Sequence, residues 1–416
     1  MSPARPSPAV PPGDVTLTNR QGMRVTISPL GATWTSCVLP LADGAREVLL
    51  GSHDTAAMLA GASYLGASVG RYAGRIAGAR FAGHALATNQ PPHILHGGPQ
   101  GFSRRRWEVV PAQASLAGPL PANTGCITTT AHTGKAPGDS VSGGLSPRGP
   151  VPGGSTPGAP SPAGASPQTL HLQLHSPDGD QGFPGNLDAE VIYQLDDDNS
   201  LTITYLARTD APTPCNLTSH AYFNLNGGDG DDGLNQWLRI HASHYQPVGA
   251  DGIPDAPPRP VLARSDSTPA QPDAIPAQPD SVTATLRVSA FDFREGKWIQ
   301  RDFLKDAEQQ KVGGYDHSFL LAQDPTRENP LRLAAELRSA DGRVRMTLGT
   351  NQPALHLYTG QYLAGTPKRD GQSTYANLAG IALESQYPPD SPSHGHAILQ
   401  PGTLYRHVIR FAFDIG

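Results

Sequence analysis

Residues 169–176 read TLHLQLHS, with Leu170, Leu172 and Leu174 alternating against Thr169, His171, Gln173 and His175. Successive side chains of a β-strand point to opposite faces, so this alternation describes a half-buried strand and not a helix. The same period recurs in MRVTISPL from residue 23, SLTITYLAR from 200, VRMTLGT from 344 and LYRHVIRFAF from 404. Gly, Pro, Asn and Asp clusters separate these runs, and helical periodicity is confined to a short piece near RDFLKDAEQQK from residue 301. The chain therefore reads as an antiparallel all-β sandwich or barrel, not a βαβ protein.

Composition supports this. The 416 residues include 46 Gly and 42 Pro but only 16% charged residues, which is abundant turn chemistry and leaves little room for long helices. Two segments lack the apolar residues needed to offset ordering entropy: about 133–167, and 255–280, the latter carrying RPVL, which can dock. Strand-like pattern resumes on both sides of each. They read as insertions within one domain spanning 14–416, preceded by a disordered tail at 1–13.

A net charge of -5 with no basic stripe excludes a nucleic-acid binder. Cys37, Cys126 and Cys215 are far apart with no CxxC spacing, so they indicate neither a disulfide framework nor a thiolate zinc site. No stretch approaches the ~20 apolar residues of a membrane span, and no signal-peptide h-region opens the chain. The expectation is a cytoplasmic enzyme or binding protein.

Five segments could carry chemistry. YLGASVGRYAGRIAGARF (64–81) sets Arg71, Arg75 and Arg80 among glycines without phosphate-loop spacing; it is either a Gly-rich turn or a site for polar oxygens. NQPPHILHGG (89–98) holds His93 and His96 with no third metal ligand, leaving His96 to be offered to a ligand by the flexible Gly97 and Gly98. In NLTSHAYFNLNGG (216–228) the small polar residues can fix the ring nitrogens of His220 for acid or base work, or simply hold a core histidine. YDHSFLL (315–321) and GIALESQYPPD (380–390) follow. In the latter, Glu384 ends an apolar run, suited either to a general base or to an ion pair. LDDDNS and GGDGDDGL lack calcium-loop spacing and read as solvated turns.

Taken together and in order, GASVGRYAGRI, NQPPHILHGG, SPDGDQGFPG, CNLTSHAYFNL, YDHSF and LESQYPPD resemble the motifs of the aldose 1-epimerase (galactose mutarotase) family, from about residue 14 to the C-terminus. The resemblance implies a large antiparallel β-sandwich of the galactose mutarotase type, with the sugar on the concave face of a sheet. It implies His220 as general acid toward the ring oxygen and Glu384 as general base on the anomeric hydroxyl. Arg75 and His96 would donate to sugar hydroxyls or the ring oxygen, and Asp316 would bind hydroxyls in bidentate fashion; Tyr222 and Phe223 could pack near the ligand or in the core. It further implies no cofactor and no metal, a monosaccharide substrate, and a monomer or homodimer. Gly74 stands where the family has asparagine, and His356, a further sugar-binding candidate, where it has glutamine. Ser219 and Ala221 replace Asn and Ser beside the acid.

Three other readings remain open at this level. A hexose-6-phosphate 1-epimerase would use the basic run SRRRW (103–107) at the rim. A carbohydrate-binding protein on the same fold would need no acid and base, and a glycosidase would pair Asp316 with Glu384.

Overall fold

The computed structural model describes residues 13–61, 63–116, 168–264, 286–322 and 331–416. The expected disordered tail, apart from Gly13, and the expected insertion at 133–167 lie outside the described residues, as does 265–280 of the second segment. The rest of that segment is ordered: Arg259–Pro260 and Leu262–Arg264 form short strands around the buried Val261.

Among the described residues a nine-stranded antiparallel sheet forms the larger layer. Its order is Glu108–Val110, Gln168–Ser176, Leu187–Leu195, Ser200–Thr209, Tyr405–Ile415, Val344–Thr350, Arg332–Arg338, Trp237–Ile240 and Lys297–Trp298. Four of the five runs read as strands from their alternation fall here. The fifth, Arg24–Ser28, belongs to a four-stranded sheet near the N-terminus. Alternation is incomplete along Ser200–Thr209: Thr204 and Leu206 are buried as well as Ile203 and Tyr205. Both faces of that strand are covered, which threonine's half-apolar side chain tolerates.

The second layer is a six-stranded antiparallel sheet ordered Tyr222–Phe223, Ile381–Gln386, Ala354–Tyr358, Asp316–Leu321, Ala242–Tyr245, Arg259–Pro260. Aromatic side chains tie the sheets together. Trp34 of the four-stranded sheet lies 5.9 Å from Phe223 and 5.3 Å from Phe411 of the nine-stranded sheet, and Phe223 and Phe411 lie 5.3 Å apart. Burying aromatic area at this junction is a dominant stabilising term, about 1.5–3 kcal/mol or more per side chain.

Helix is minor. Near residue 301 the chain makes a 3-10 turn at Ile299–Asp302 and a helix at Ala307–Val312, capped by Asp306 accepting from the Glu308 amide and ended by Gly313 at φ 74°. Cys37 and Cys215 are buried and unpaired, and burial pushes both thiols up.

Candidate active site

Register decides what the six-stranded sheet presents. Glu384 lies opposite His356, which on its other side lies opposite Ser318. One row away, Asp316 lies opposite Tyr358, which pairs with Ala382, which pairs with Tyr222. Because side chains alternate, Glu384, His356, Asp316, Tyr358 and Tyr222 share one face. Phe223 necessarily points the other way, into the aromatic junction. Of the two aromatics beside His220, Tyr222 faces the site and Phe223 is core.

The face is the floor of a cavity of about 310 Å³ whose lining includes Arg75, His96, His220, Asp316, His356 and Glu384, all six residues singled out from the sequence. Tyr64, Gln90, Tyr362 and Gln386 line it too, and sequence reasoning did not single them out. Tyr64, Gln90 and Gln386 sit inside the segments 64–81, 89–98 and 380–390 and so had a signal; Tyr362 reaches the site from a turn with none. A larger groove of about 670 Å³ across Pro389 is mostly apolar and holds none of the six.

At the centre, His220 Nε2 is 3.6 Å from Glu384 Oε1, and both residues are almost wholly buried. His220 Nδ1 and Glu384 Oε2 have no hydrogen-bond partner among the described residues. The small polar neighbours of His220 do not hold its ring. Asn216 instead donates to Ala73 O and accepts from Tyr387 N, while Thr218 Oγ1 donates to Ser385 O. These bonds lash the acid-bearing segment to the strand of Glu384, and the Asn216 and Thr218 side chains are spent on backbone groups because the segment has little ladder pairing of its own. The ring is positioned by packing, with Tyr222 at 5.0 Å, His96 at 5.2 Å and Tyr64 at 5.8 Å between centroids.

Arg75 and His96 are brought together by the two-residue ribbon in which Arg75–Ile76 pairs with Ile94–Leu95. Gln90 Oε1 accepts from Arg75 Nε at 2.6 Å, and Gly252 packs so tightly on the guanidinium that a Cβ there would lie 2.6 Å from Arg75 Cζ. The glycines after His96 are not flexible hinges. A Cβ on Gly97 would lie 1.8 Å from Gly70 O, so glycine is required by close backbone approach. Gly74 leaves room beside Gln386 Nε2, which is 3.5 Å from where its Cβ would be.

The Gly74 amide donates to His96 Nδ1 at 3.1 Å. Burial, then the charges of His220 and Arg75, hold His96 well below the ordinary imidazole range, so the ring is neutral with its proton on Nε2. His96 is therefore an N–H donor to the cavity. This argues against a metal centre, although donor atoms of His96, His220 and Glu384 lie within 4.8 Å of one another. One His96 nitrogen already accepts a hydrogen bond and the other carries the proton, whereas a ligand needs a free lone pair. Asp316 is buried, which raises its carboxyl, but the hydrogen bond from His356 and the charge of Arg75 outweigh that and hold it well below the usual carboxylate range.

Other candidates serve the scaffold. Arg71 is 2% exposed, and its guanidinium donates to Ser176 Oγ and to the carbonyls of Ser176, Pro177, Pro184 and Gly185. It thereby clamps the SPDGDQGFPG turn, which does not line the cavity. Arg80 is exposed outside the site, and His93 pairs with Asp251 at 3.2 Å. In SRRRW, Arg104 donates to Gly61 O and Arg105 pairs with Asp180. The acidic clusters are turns tied down by ion pairs such as Asp197 with Arg20 and Asp231 with Lys368.

Fold and site together define a galactose mutarotase-like β-sandwich. A GalM/aldose epimerase homologue from C. elegans superposes with a TM-score of 0.69 at 23% identity over 97% of this chain and 99% of its own. Galactose 1-epimerase from Lactobacillus acidophilus gives 0.68 at 25% identity, covering 97% and 94%. The aldose 1-epimerase family model matches residues 13–135 and 161–412, and the chain belongs to that family of isomerases. Among curated relatives, aldose 1-epimerase of Escherichia coli K12 is 36% identical, covering 96% of this chain and 94% of its own; human galactose mutarotase is 28% identical, covering 95% and 92%.

Proposed function

We propose that the protein interconverts the α and β anomers of free hexoses, galactose and glucose among them, by acid–base opening and reclosure of the ring. The observation that carries this is the buried pair His220 and Glu384, whose Nε2 and Oε1 lie 3.6 Å apart in the wall of one cavity with Arg75, His96 and Asp316. Glu384 takes the proton of the anomeric hydroxyl while His220 gives one to the ring oxygen. The C1–O5 bond breaks to leave the open-chain aldehyde, rotation about C1–C2 presents its other face, and reclosure returns both protons. Holding both groups replaces solvent-mediated transfers with positioned ones.

Arg75, with Gln90 on its Nε, and neutral His96 donate to sugar oxygens; Asp316 accepts. No electron changes hands, so the reaction calls for no redox cofactor. A phosphosugar substrate is less favoured, because Arg104 and Arg105 of the basic run are engaged with Gly61 and Asp180 and are not part of the cavity wall. We further propose a cytoplasmic monomer or homodimer acting on a free monosaccharide.

Polarimetry of freshly dissolved α-D-glucose and α-D-galactose, in a buffer that catalyses mutarotation poorly, tests the proposal. Faster approach to an unchanged final rotation is expected. No acceleration with either sugar, together with acceleration of a hexose 6-phosphate, would replace it with the phosphosugar reading.

A further inference from the structure

His356 lines the cavity, yet both of its ring nitrogens are engaged. Nε2 is 2.7 Å from Asp316 Oδ1, and Nδ1 is 3.0 Å from Ser318 Oγ. Ser318 lies directly opposite His356 in the ladder, and Asp316, two residues before it, shares its face. Ser318 is 1% exposed and is not part of the cavity wall. An imidazole has no polar atoms beyond its two nitrogens, so His356 has none left for a sugar.

We infer that Ser318, His356 and Asp316 form a relay in which His356 is a positioning residue and Asp316 the only member that touches substrate. Ser318 fixes the ring plane and the ring holds Asp316 Oδ1. Oδ2, which makes no hydrogen bond among the described residues, is left as an oriented acceptor for one sugar hydroxyl. This differs from a bidentate carboxylate, since one oxygen is committed before substrate arrives. The chain of bonds closes in either state of the ring. With neutral His356 the Ser318 hydroxyl donates to Nδ1; with the cation Nδ1–H donates to Ser318 Oγ; in both, Nε2–H donates to Asp316. The relay is therefore a device for geometry. Its benefit is pre-organisation: a carboxylate already held in its binding rotamer loses less freedom on complex formation.

The inference rests on the proposed epimerase reading, and its test separates the two. KM and kcat for galactose mutarotation are measured for wild type, Ser318→Ala, His356→Ala, His356→Gln and the Ser318→Ala/His356→Ala double variant, with thermal unfolding as a fold check. Loss of one buried hydrogen bond corresponds to about fivefold, so Ser318→Ala is expected to raise KM by about that factor, with a smaller effect on kcat. The same substitution in the His356→Ala background adds nothing, because the relay is already cut. His356→Gln, which can still donate to Asp316, recovers part of the loss. An unchanged KM in Ser318→Ala, or an equal effect in both backgrounds, overturns the relay. A wild-type protein that accelerates no anomer exchange overturns the epimerase reading instead.

Discussion

His220 Nε2 and Glu384 Oε1 face each other across 3.6 Å, close enough to couple and too far for a strong direct hydrogen bond. That gap suits two groups that must each reach a different oxygen of the same sugar. We expect kcat/KM for mutarotation to be bell-shaped in pH, falling on the acid side as the base takes a proton and on the alkaline side as the acid loses one. A pH–rate series in weakly catalytic buffers checks this, and a single-limbed or flat profile would speak against paired catalysis.

Gly252 supports Arg75 through the absence of a side chain. Gly252→Ala puts a methyl 2.6 Å from the guanidinium, which must move, and adds strain at φ 74°. Losing a charged hydrogen bond predicts KM at least about tenfold higher, with about 1 kcal/mol of stability lost to the backbone. Gly78→Ala is the control. Its φ is 61° with open space around the Cβ, so stability should fall similarly while KM stays put.

Two arginines four residues apart should separate cleanly. Arg71→Lys replaces a planar fork that satisfies four carbonyls and a hydroxyl with a point charge, predicting about 2–4 kcal/mol of lost stability and near-normal kcat/KM in the folded fraction. Arg75→Lys should do the reverse. Urea unfolding paired with steady-state kinetics reads both; a KM effect from Arg71→Lys at unchanged stability would refute the assignment.

Buried neutral histidines set the acid sensitivity of the fold. Burial pushes His317 and His407 down to about 3, and His96 is also depressed. As pH falls below the ordinary value of 6.5, the unfolded chain takes up protons that the folded chain does not. Stability should therefore be full above about 6.5 and fall toward 3, each histidine contributing up to about 1.4 kcal/mol per pH unit. His407, whose Nδ1 donates to Leu217 O while Nε2 accepts from Ser385 Oγ, offers the check. His407→Gln should shallow the slope of unfolding free energy against pH between 6 and 4 by about that amount, whatever its absolute stability. An unchanged slope would contradict the account.

The strands and the site were legible in the sequence to different depths. Period-two runs such as 169–176 and 404–413 mark strands because one face of each meets the core. Five of the six cavity residues were findable because each sits in a dense local motif, and His356 because it stands where the family has glutamine. What the motifs hid was partnership. Nothing in NLTSHAYF says that Asn216 and Thr218 bind backbone and leave the His220 ring to Tyr64 and Tyr222. Nor does the sequence indicate that Gly252 packs on Arg75, a contact made only by folding. Arg71 and Arg75 look alike in GRYAGRI, and only burial separates a structural clamp from a residue of the cavity. Likewise, His356 reads as a spare donor until register sets it between Asp316 and Ser318.

The central claim is most directly tested by exchange NMR on galactose at anomeric equilibrium, following magnetisation transfer between the α and β anomeric protons. Wild-type protein should produce exchange far above buffer. His220→Asn and Glu384→Gln, folded by circular dichroism, should each reduce it by about 10²–10⁴-fold, the usual worth of a general acid or base. Exchange that persists near the wild-type rate in either variant would contradict the account, because the proton that opens the ring would then be moving through another group.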